Sequence, residues 1–270
     1  MKYTIVIPVL NQLRYTQQCV ESMQAHGIPA ASMLVIDNGS TDDTPQWLAS
    51  HPEIRSVRNP VNLGCGGAWT QGALLAGTSD WVVLLNNDIV CGHDFVGAQI
   101  DAADRLGLQV VSPALIEMEL DYDLDAFTAE FTRTMSTTLR RDWFHGVCFS
   151  VRRQVFERIG FPDTDRLLFG REDAEFRARC LRAGLAVGTV GAGLIHHFGS
   201  ITQAAMKKEQ GVSKFGDHRY FYSKLGLGWW GRQGAKLARK AQAARWVEAE
   251  RSATGMTLHM VHQAGRVEYR

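Results

Sequence analysis

Four short strand-like segments, three of them apolar runs, recur in the first 90 residues, and a helical stretch separates each from the next. The runs at 3–10, 32–37 and 80–85 are rich in Val, Ile and Leu, as strands buried on both faces must be, and 54–58 reads as a short strand. The first intervening helix is expected over 13–26 and closed by Gly27 and Pro29. The second is capped by Thr41 or Asp42 and runs to residue 50. The third follows a glycine-rich turn at 62–67 and runs to residue 76. This alternation predicts an α/β fold, a mostly parallel open sheet with helices on both faces. Such sheets bind ligands outside the carboxyl ends of their strands. The clusters Asp37-Asn38, Asn62-Leu63-Gly64 and Asn86-Asn87-Asp88 each follow a run and should converge on one crevice.

Further strands are expected at 110–116, 143–151 and 185–195, the last leading into His196-His197, with helices at 153–159 and 172–183. The acidic stretch 117–125 reads as a loop. Beyond residue 200 the strand signal fades, and a basic, helical extension over 201–270 is expected. Residues 1–200 hold 16 basic and 23 acidic side chains, net −7; residues 201–270 hold 13 and 5, net +8, which together give the overall +1. In the tail, Trp229-Trp230 precedes Arg232, Lys236, Arg239, Lys240 and Arg245. Two readings fit: a segment lying in a membrane interface, or a helix packed on the body or against a second copy in a homo-oligomer. Nucleic acid is not an expected partner.

Apolar residues at 45% and charged ones at 21% fit a globular chain, and no apolar stretch reaches the roughly 18 residues of a spanning helix. The opening residues are too short and too β-branched a run for a signal peptide. Five cysteines without a CxxC pair argue against a disulfide framework or structural zinc, so a cytoplasmic location is expected. GxxxxGK[ST] is absent, and so is GxGxxG after the first strand. Asp88 ends an almost wholly apolar strand, where a carboxylate needs a partner; a divalent ion that also holds a diphosphate would supply one. Glu172-Asp173 opens a helix. Adjacent residues do not share a helix face, so one of the two is expected to reach a cleft as a general base. A histidine pair at a strand end beside carboxylates suits a metal.

The order of the pieces carries a resemblance. Ile5-Val6-Ile7-Pro8-Val9-Leu10-Asn11 is followed by Asp37-Asn38-Gly39-Ser40-Thr41-Asp42-Asp43-Thr44, Asn62-Leu63-Gly64 with Gly67-Ala68, and Leu84-Leu85-Asn86-Asn87-Asp88. Then come Gly146-Val147-Cys148-Phe149, Arg152-Arg153, Ile159-Gly160-Phe161, Glu172-Asp173 and His196. Over about residues 3–200 the chain resembles the family 2 glycosyltransferases, inverting enzymes of the GT-A fold, and within them the rhamnosyltransferase-like branch. Tyr220-Phe221-Tyr222 before Lys224-Leu225-Gly226 is similar to the end of that branch.

The resemblance implies a catalytic domain over 1–200, with nucleotide-sugar binding in about 1–110 and the acceptor part in 111–200. It implies a UDP-, dTDP- or GDP-sugar donor held by Pro8, Val9, Asn11, Asp37, Asn38, Gly39, Asn62, Gly64 and Asn87. Asp88 would bind Mg²⁺ or Mn²⁺ as the last acid of a DxD element, with His196 a further ligand and His197 its substitute. Asp173 would be the base, Glu172 next in line, and Trp143 and Gly146 would lie near the sugar and the acceptor. The acceptor would be a glycan or a lipid-linked sugar in cell-surface polysaccharide synthesis, reached at the inner face of the membrane. The chain departs from the family where Asn86 replaces the first acid of DxD and where Thr70-Gln71 replaces an Asn-Arg pair. Two other classes remain open on the residues themselves. A nucleotidyltransferase would need a basic loop after the first strand, where Val9-Leu10-Asn11-Gln12 stands. A non-catalytic sugar-binding protein would dispense with Asp88 or Asp173, and both are present.

Overall fold

The computed structural model describes residues 1–210 and 216–270. Among them the elements run β1 (Tyr3–Val9), α1 (Leu13–Ala25), β2 (Met33–Asp37), α2 (Thr44–Ser50), β3 (Arg55–Arg58), α3 (Gly64–Leu75), β4 (Trp81–Leu85), β5 (Ile89–Cys91), α4 (Phe95–Leu106) and β6 (Val110–Met118). They continue with α5 (Leu124–Met135), β7 (Leu139–Arg141), β8 (Cys148–Arg152), α6 (Arg153–Ile159), α7 (Glu172–Arg182), β9 (Val187–His197), α8 (Ile201–Gln210), α9 (His218–Lys224), α10 (Trp229–Thr254), β10 (His259–Gln263) and β11 (Arg266–Tyr269).

β3, β2, β1 and β4 pair in parallel in that order. β8 lies antiparallel between β4 and β6. β6 is parallel to β9, which in turn takes β5 and β7 antiparallel. Along its other edge β6 exchanges β8 for β10, which it meets in parallel at Leu115–Met118. Its register shifts between Ser112 and Ala114, at Pro113, where a proline without an N–H fits a bulge.

The central strands β1, β2 and β4 are apolar on both faces because both are covered. Ile5, Ile7 and Val9 of β1 pack with Cys19, Val20 and Met23 of α1 and with Phe95, Val96 and Ile100 of α4. Val6, on the opposite side, joins Ala68, Trp69 and Ala73 of α3 and Phe176 and Cys180 of α7. α3 lies so close to β1 that a Cβ at Gly72 would fall 2.1 Å from Val6 Cγ1.

Three sequence expectations change. The stretch 117–125 is not all loop: Glu117 and Met118 finish β6, and α5 begins at Leu124. The strand expected at 143–151 starts only at Cys148. The tail is not helical throughout, since β10 and β11 form a hairpin that extends the sheet, turning at Ala264 and Gly265, both at positive φ. Residues 211–215 of that tail lie outside the described residues. A buried ion pair fixes the end of α10 to the body: Arg140 on β7 donates from Nε and Nη2 to both carboxylate oxygens of Glu250, at 2.6 and 2.8 Å.

Candidate active site

β1, β2, β4, β6 and β9 all point the same way, so their C-terminal ends gather at one edge of the sheet. A cleft of about 280 Å³ opens there. Pro8, Val9 and Leu10 contribute from β1 and its exit, Asn38 from beyond β2, and Asn86, Asn87 and Asp88 from beyond β4. Glu117 comes from β6 and His197 from β9. Asn62, Gly64, Cys65 and Trp69 form a wall at the start of α3, and Gly146, Glu172 and Asp173 form another. Thr202, Gln203 and Met206 of α8 complete the lining.

Asp88 is buried. Its Oδ2 accepts a hydrogen bond from the Ile201 N–H at 3.0 Å, and its Oδ1 lies 3.3 Å from His197 Nε2. The other ring nitrogen of His197, Nδ1, lies 3.2 Å from Glu117 Oε1, and Glu117 Oε2 lies 2.8 Å from His259 Nε2 of β10. Burial alone would lower the His197 pKa, but the two flanking carboxylates outweigh it and lift it to about 9. Burial works against the charged form of both acids, yet the histidines hold Asp88 below its ordinary value and Glu117 well below it. A carboxylate and an imidazole set side by side, the imidazole braced by a second carboxylate, are a donor pair that fits a divalent ion. The ion would displace the proton that His197 otherwise holds. Among the described residues no group of three or more His, Cys, Asp and Glu side chains is arranged to hold a metal. An ion held by Asp88 and His197 would need a diphosphate and water to complete its shell.

His196, the preferred ligand on sequence, is not brought to the cleft. Successive strand residues face opposite sides of a sheet, so His197 points to Asp88 while His196 points to Tyr122, whose hydroxyl lies 2.9 Å from His196 Nδ1. Burial lowers the His196 pKa to about 4.

Glu172 and Asp173 both line the cleft, so the expectation that only one would reach it is corrected. They stand in the first turn of α7, where side chains are splayed about the open end of the helix and backbone N–H groups are available. Burial raises the Glu172 carboxyl to about 7; backbone hydrogen bonds oppose that rise, and the neighbouring Asp173 charge adds to it. Burial also raises Asp173, against the opposing charge of Arg177. Asp173 lies against Gly146, where an added Cβ would fall 2.7 Å from its Oδ2. Gly146 is thus part of the cleft because it makes room for the carboxylate.

On the donor side, Asn38 donates to the Gly64 carbonyl at 3.2 Å and accepts from Asn59 Nδ2 at 3.1 Å. Gln71, at the family's Asn-Arg position, exchanges two hydrogen bonds with Asn59, so this pair buttresses Asn38 from behind. Asn62 caps the Gly64 N–H at 2.8 Å, and Asn87 donates to Thr16 Oγ1 at 2.9 Å.

Four further expected contacts, besides His196, are not among the cleft residues. Asn11, at a φ of 55°, uses its Oδ1 to accept from the Thr41 and Asp42 N–H groups, binding the two loops together. Gly39 occupies a left-handed turn tight against the Asn59 carbonyl. Asp37 is buried behind Asn38; its Oδ1 accepts from the Ser40 N–H, and its Oδ2, 3.5 Å from Arg58 Nε, makes no hydrogen bond. Trp143 packs against Arg177 and Trp246. Sequence reasoning missed Glu117, His259 and the α8 residues. The place of Glu117 at the end of an apolar strand, parallel to that of Asp88, was a usable signal; nothing local marked the other residues.

The match to known proteins follows this geometry. Residues 4–160 match the model of the family described as Glycosyl transferase family 2. The chain belongs to that family. It is 30% identical over 207 residues to an N-acetylglucosaminyl-diphospho-decaprenol L-rhamnosyltransferase of Mycobacterium tuberculosis, covering 62% of this chain and 66% of the relative. It is 28% identical over 218 residues to the succinoglycan biosynthesis protein ExoO of Rhizobium meliloti, covering 74% of this chain and 62% of that protein. Both matches span less than two thirds of the relative's length. A mannosyltransferase from Pyrobaculum calidifontis, solved in complex with GDP-Man and Mn²⁺, superposes with a TM-score of 0.55 over 73% of this chain and 56% of that one, at 19% identity. The fold is the GT-A fold of these glycosyltransferases.

Proposed function

We propose that the chain is an inverting glycosyltransferase that moves a sugar from a UDP-, dTDP- or GDP-sugar to a hydroxyl of a glycan or lipid-linked acceptor, in cell-surface polysaccharide synthesis. The observation that carries this reading is a single cleft that holds both an Asp88–His197 pair and a Glu172–Asp173 pair. One pair suits a leaving diphosphate and the other an attacking hydroxyl. The rhamnosyl-transfer name of the mycobacterial relative and the nucleotide sugar with Mn²⁺ of the archaeal neighbour support the donor class and the lipid-linked acceptor.

Pro8, Val9 and Asn38 would shape the nucleoside pocket, with Asn62 and Gly64 beside it. Asp88 and His197 would hold Mn²⁺ or Mg²⁺; when bound, the ion would neutralise the charge gathering on the departing diphosphate. Asp173 would take the acceptor proton as the hydroxyl attacks the anomeric carbon from the face opposite the leaving group. Its raised pKa makes it a stronger base than an exposed carboxylate. The leaving group is already good, so no second acid is required. All five cysteines are free thiols, which supports a reducing, cytoplasmic setting.

The test is a thermal-shift panel of UDP-, GDP- and dTDP-sugars with Mn²⁺, followed by assay of nucleoside diphosphate release with candidate acceptors. A donor that raises the melting temperature and is consumed supports the reading. No stabilisation by any nucleotide sugar would overturn it.

A further inference from the structure

The last element before the terminal hairpin is exposed along most of its length. α10 is anchored at its C-terminal third, where Glu250 meets Arg140 and Trp246 packs on Trp143 beneath the Arg140 guanidinium. Towards its N-terminus it leaves the body. Every residue from 234 to 242 is exposed, which is more than two turns with no face covered. At its start Trp229 is 57% exposed and Trp230 81%, and Leu237 is 70% exposed further along. The alternative that these tryptophans pack onto the chain's own body is thereby excluded.

The pattern on the uncovered helix is specific. Leu237 follows Trp230 by seven residues, and Ala241 and Ala244 continue the same stripe. Lys240 and Arg245 flank that stripe on either side. From residue 229 to 247 there are five cations (Arg232, Lys236, Arg239, Lys240 and Arg245) and no acid. Indole rings and flanking cations around a shallow apolar stripe are what a helix lying in a lipid headgroup layer needs, since the rings sit at the boundary and the cations meet lipid phosphates. No helix among the described residues is long and apolar enough to cross a membrane, so α10 can lie on a bilayer and not span it.

A second copy is a poorer match. The other large exposed apolar side chains among the described residues come from separate elements, with only Leu74 and Leu75 adjacent. The stripe could meet its own copy across a two-fold axis, but that pairing would set the five cations of one helix, without an acid between 229 and 247, against the same five of the other.

We infer that the exposed N-terminal two thirds of α10 is a docking surface for an anionic lipid bilayer, with Trp229, Trp230 and Leu237 entering the interface and Lys236, Lys240 and Arg245 meeting headgroup phosphates. This inference does not rest on sugar transfer, because it is read without donor or acceptor.

The test is co-sedimentation of the full chain with phosphatidylglycerol-containing vesicles and with pure phosphatidylcholine vesicles. Binding is expected to the anionic vesicles alone. It should weaken as salt shortens the screening length from about 10 Å to about 3 Å. Replacing Lys236, Lys240 and Arg245 by Glu should lower the affinity by roughly 10²-fold or more. Trp230→Ala with Leu237→Ala should lower it by roughly tenfold or more. These side chains are exposed, so the melting temperature should stay near that of the parent, which separates loss of binding from loss of fold. Equal binding to both vesicle types, binding to neither, or unchanged binding by the charge-reversed chain would each overturn the inference. So would a dimer in solution that the Trp230 and Leu237 substitutions dissociate.

Discussion

Asp173 touches Gly146 and is raised by burial at the mouth of α7. Asp173→Asn keeps the shape and removes the base, so turnover should fall by roughly 10²-fold or more while nucleotide affinity is retained. Steady-state kinetics beside calorimetry with a nucleoside diphosphate checks both halves, and near-parental turnover would rule out the assignment. Glu172 gives a pH signature of its own. Its folded carboxyl titrates near 7 against an ordinary 4.5. The folded chain therefore holds a proton that the unfolded chain has released, and this contribution is complete below about pH 4.5 and lost as pH rises through 7. Glu172→Gln cannot titrate there. Urea midpoints should show the stability of the parent declining relative to the variant across that window, by on the order of 3 kcal/mol. Parallel profiles would rule the effect out. The two histidines mark how far residue types can be read without a fold. The pair announced a site, but choosing between them needed the strand's period, which places 197 on the Asp88 side and 196 against Tyr122.

Elements with continuous apolar runs were legible, and elements defined by their partners were not. β1, β2 and β4 could be placed nearly to the residue because burial on both faces leaves no polar alternation to misread. α4 and α5 escaped although local signals were present, Gly107 closing the first and Asp123 capping the second; β10 is a strand because β6 offers an open edge at Leu115–Met118. The structure also gives a reason for two residues that the sequence left mute. Gly72→Ala should destabilise by about 1–3 kcal/mol, because α3 cannot approach β1 with a methyl 2.1 Å from Val6. Arg140→Leu strands the Glu250 charge in a buried setting and should cost about 3–5 kcal/mol. Denaturant unfolding measures both. An Arg140→Leu, Glu250→Leu double variant should recover much of the loss, and its failure to do so would mean that the contacts the pair makes beyond itself, Arg140 with the Arg270 carbonyl and the Leu258 N–H with Glu250, carry the effect.

Across the whole molecule, direct strand pairing brings the Asp88, Glu117 and His197 side chains together: β6 sets Glu117 opposite His197, and β5 sets Ile89, next to Asp88, opposite the same histidine, with His259 of the terminal hairpin behind them. On the proposed reading the chain would supply an ion with few ligands, because Asn86 stands where an acid of a DxD element would be and because only one of the two histidines lines the cleft. Ion and nucleotide should therefore bind as a unit, each completing what the other lacks. Mn²⁺ alone should barely move the melting temperature, and a nucleoside diphosphate alone should move it little. Together at about 100 times the dissociation constant they should add roughly 2.7 kcal/mol, a rise of roughly 5–10 °C for a chain of this size. A chelator should abolish the gain. Asp88→Ala and His197→Ala should each remove the synergy, whereas His196→Ala should retain it at a lower baseline stability. Thermal melts of the four chains, each with and without Mn²⁺ and nucleotide, decide the matter. Synergy lost in His196→Ala and kept in His197→Ala would reverse the assignment, and strong stabilisation by Mn²⁺ without nucleotide would show that the chain holds more ligands than this pair.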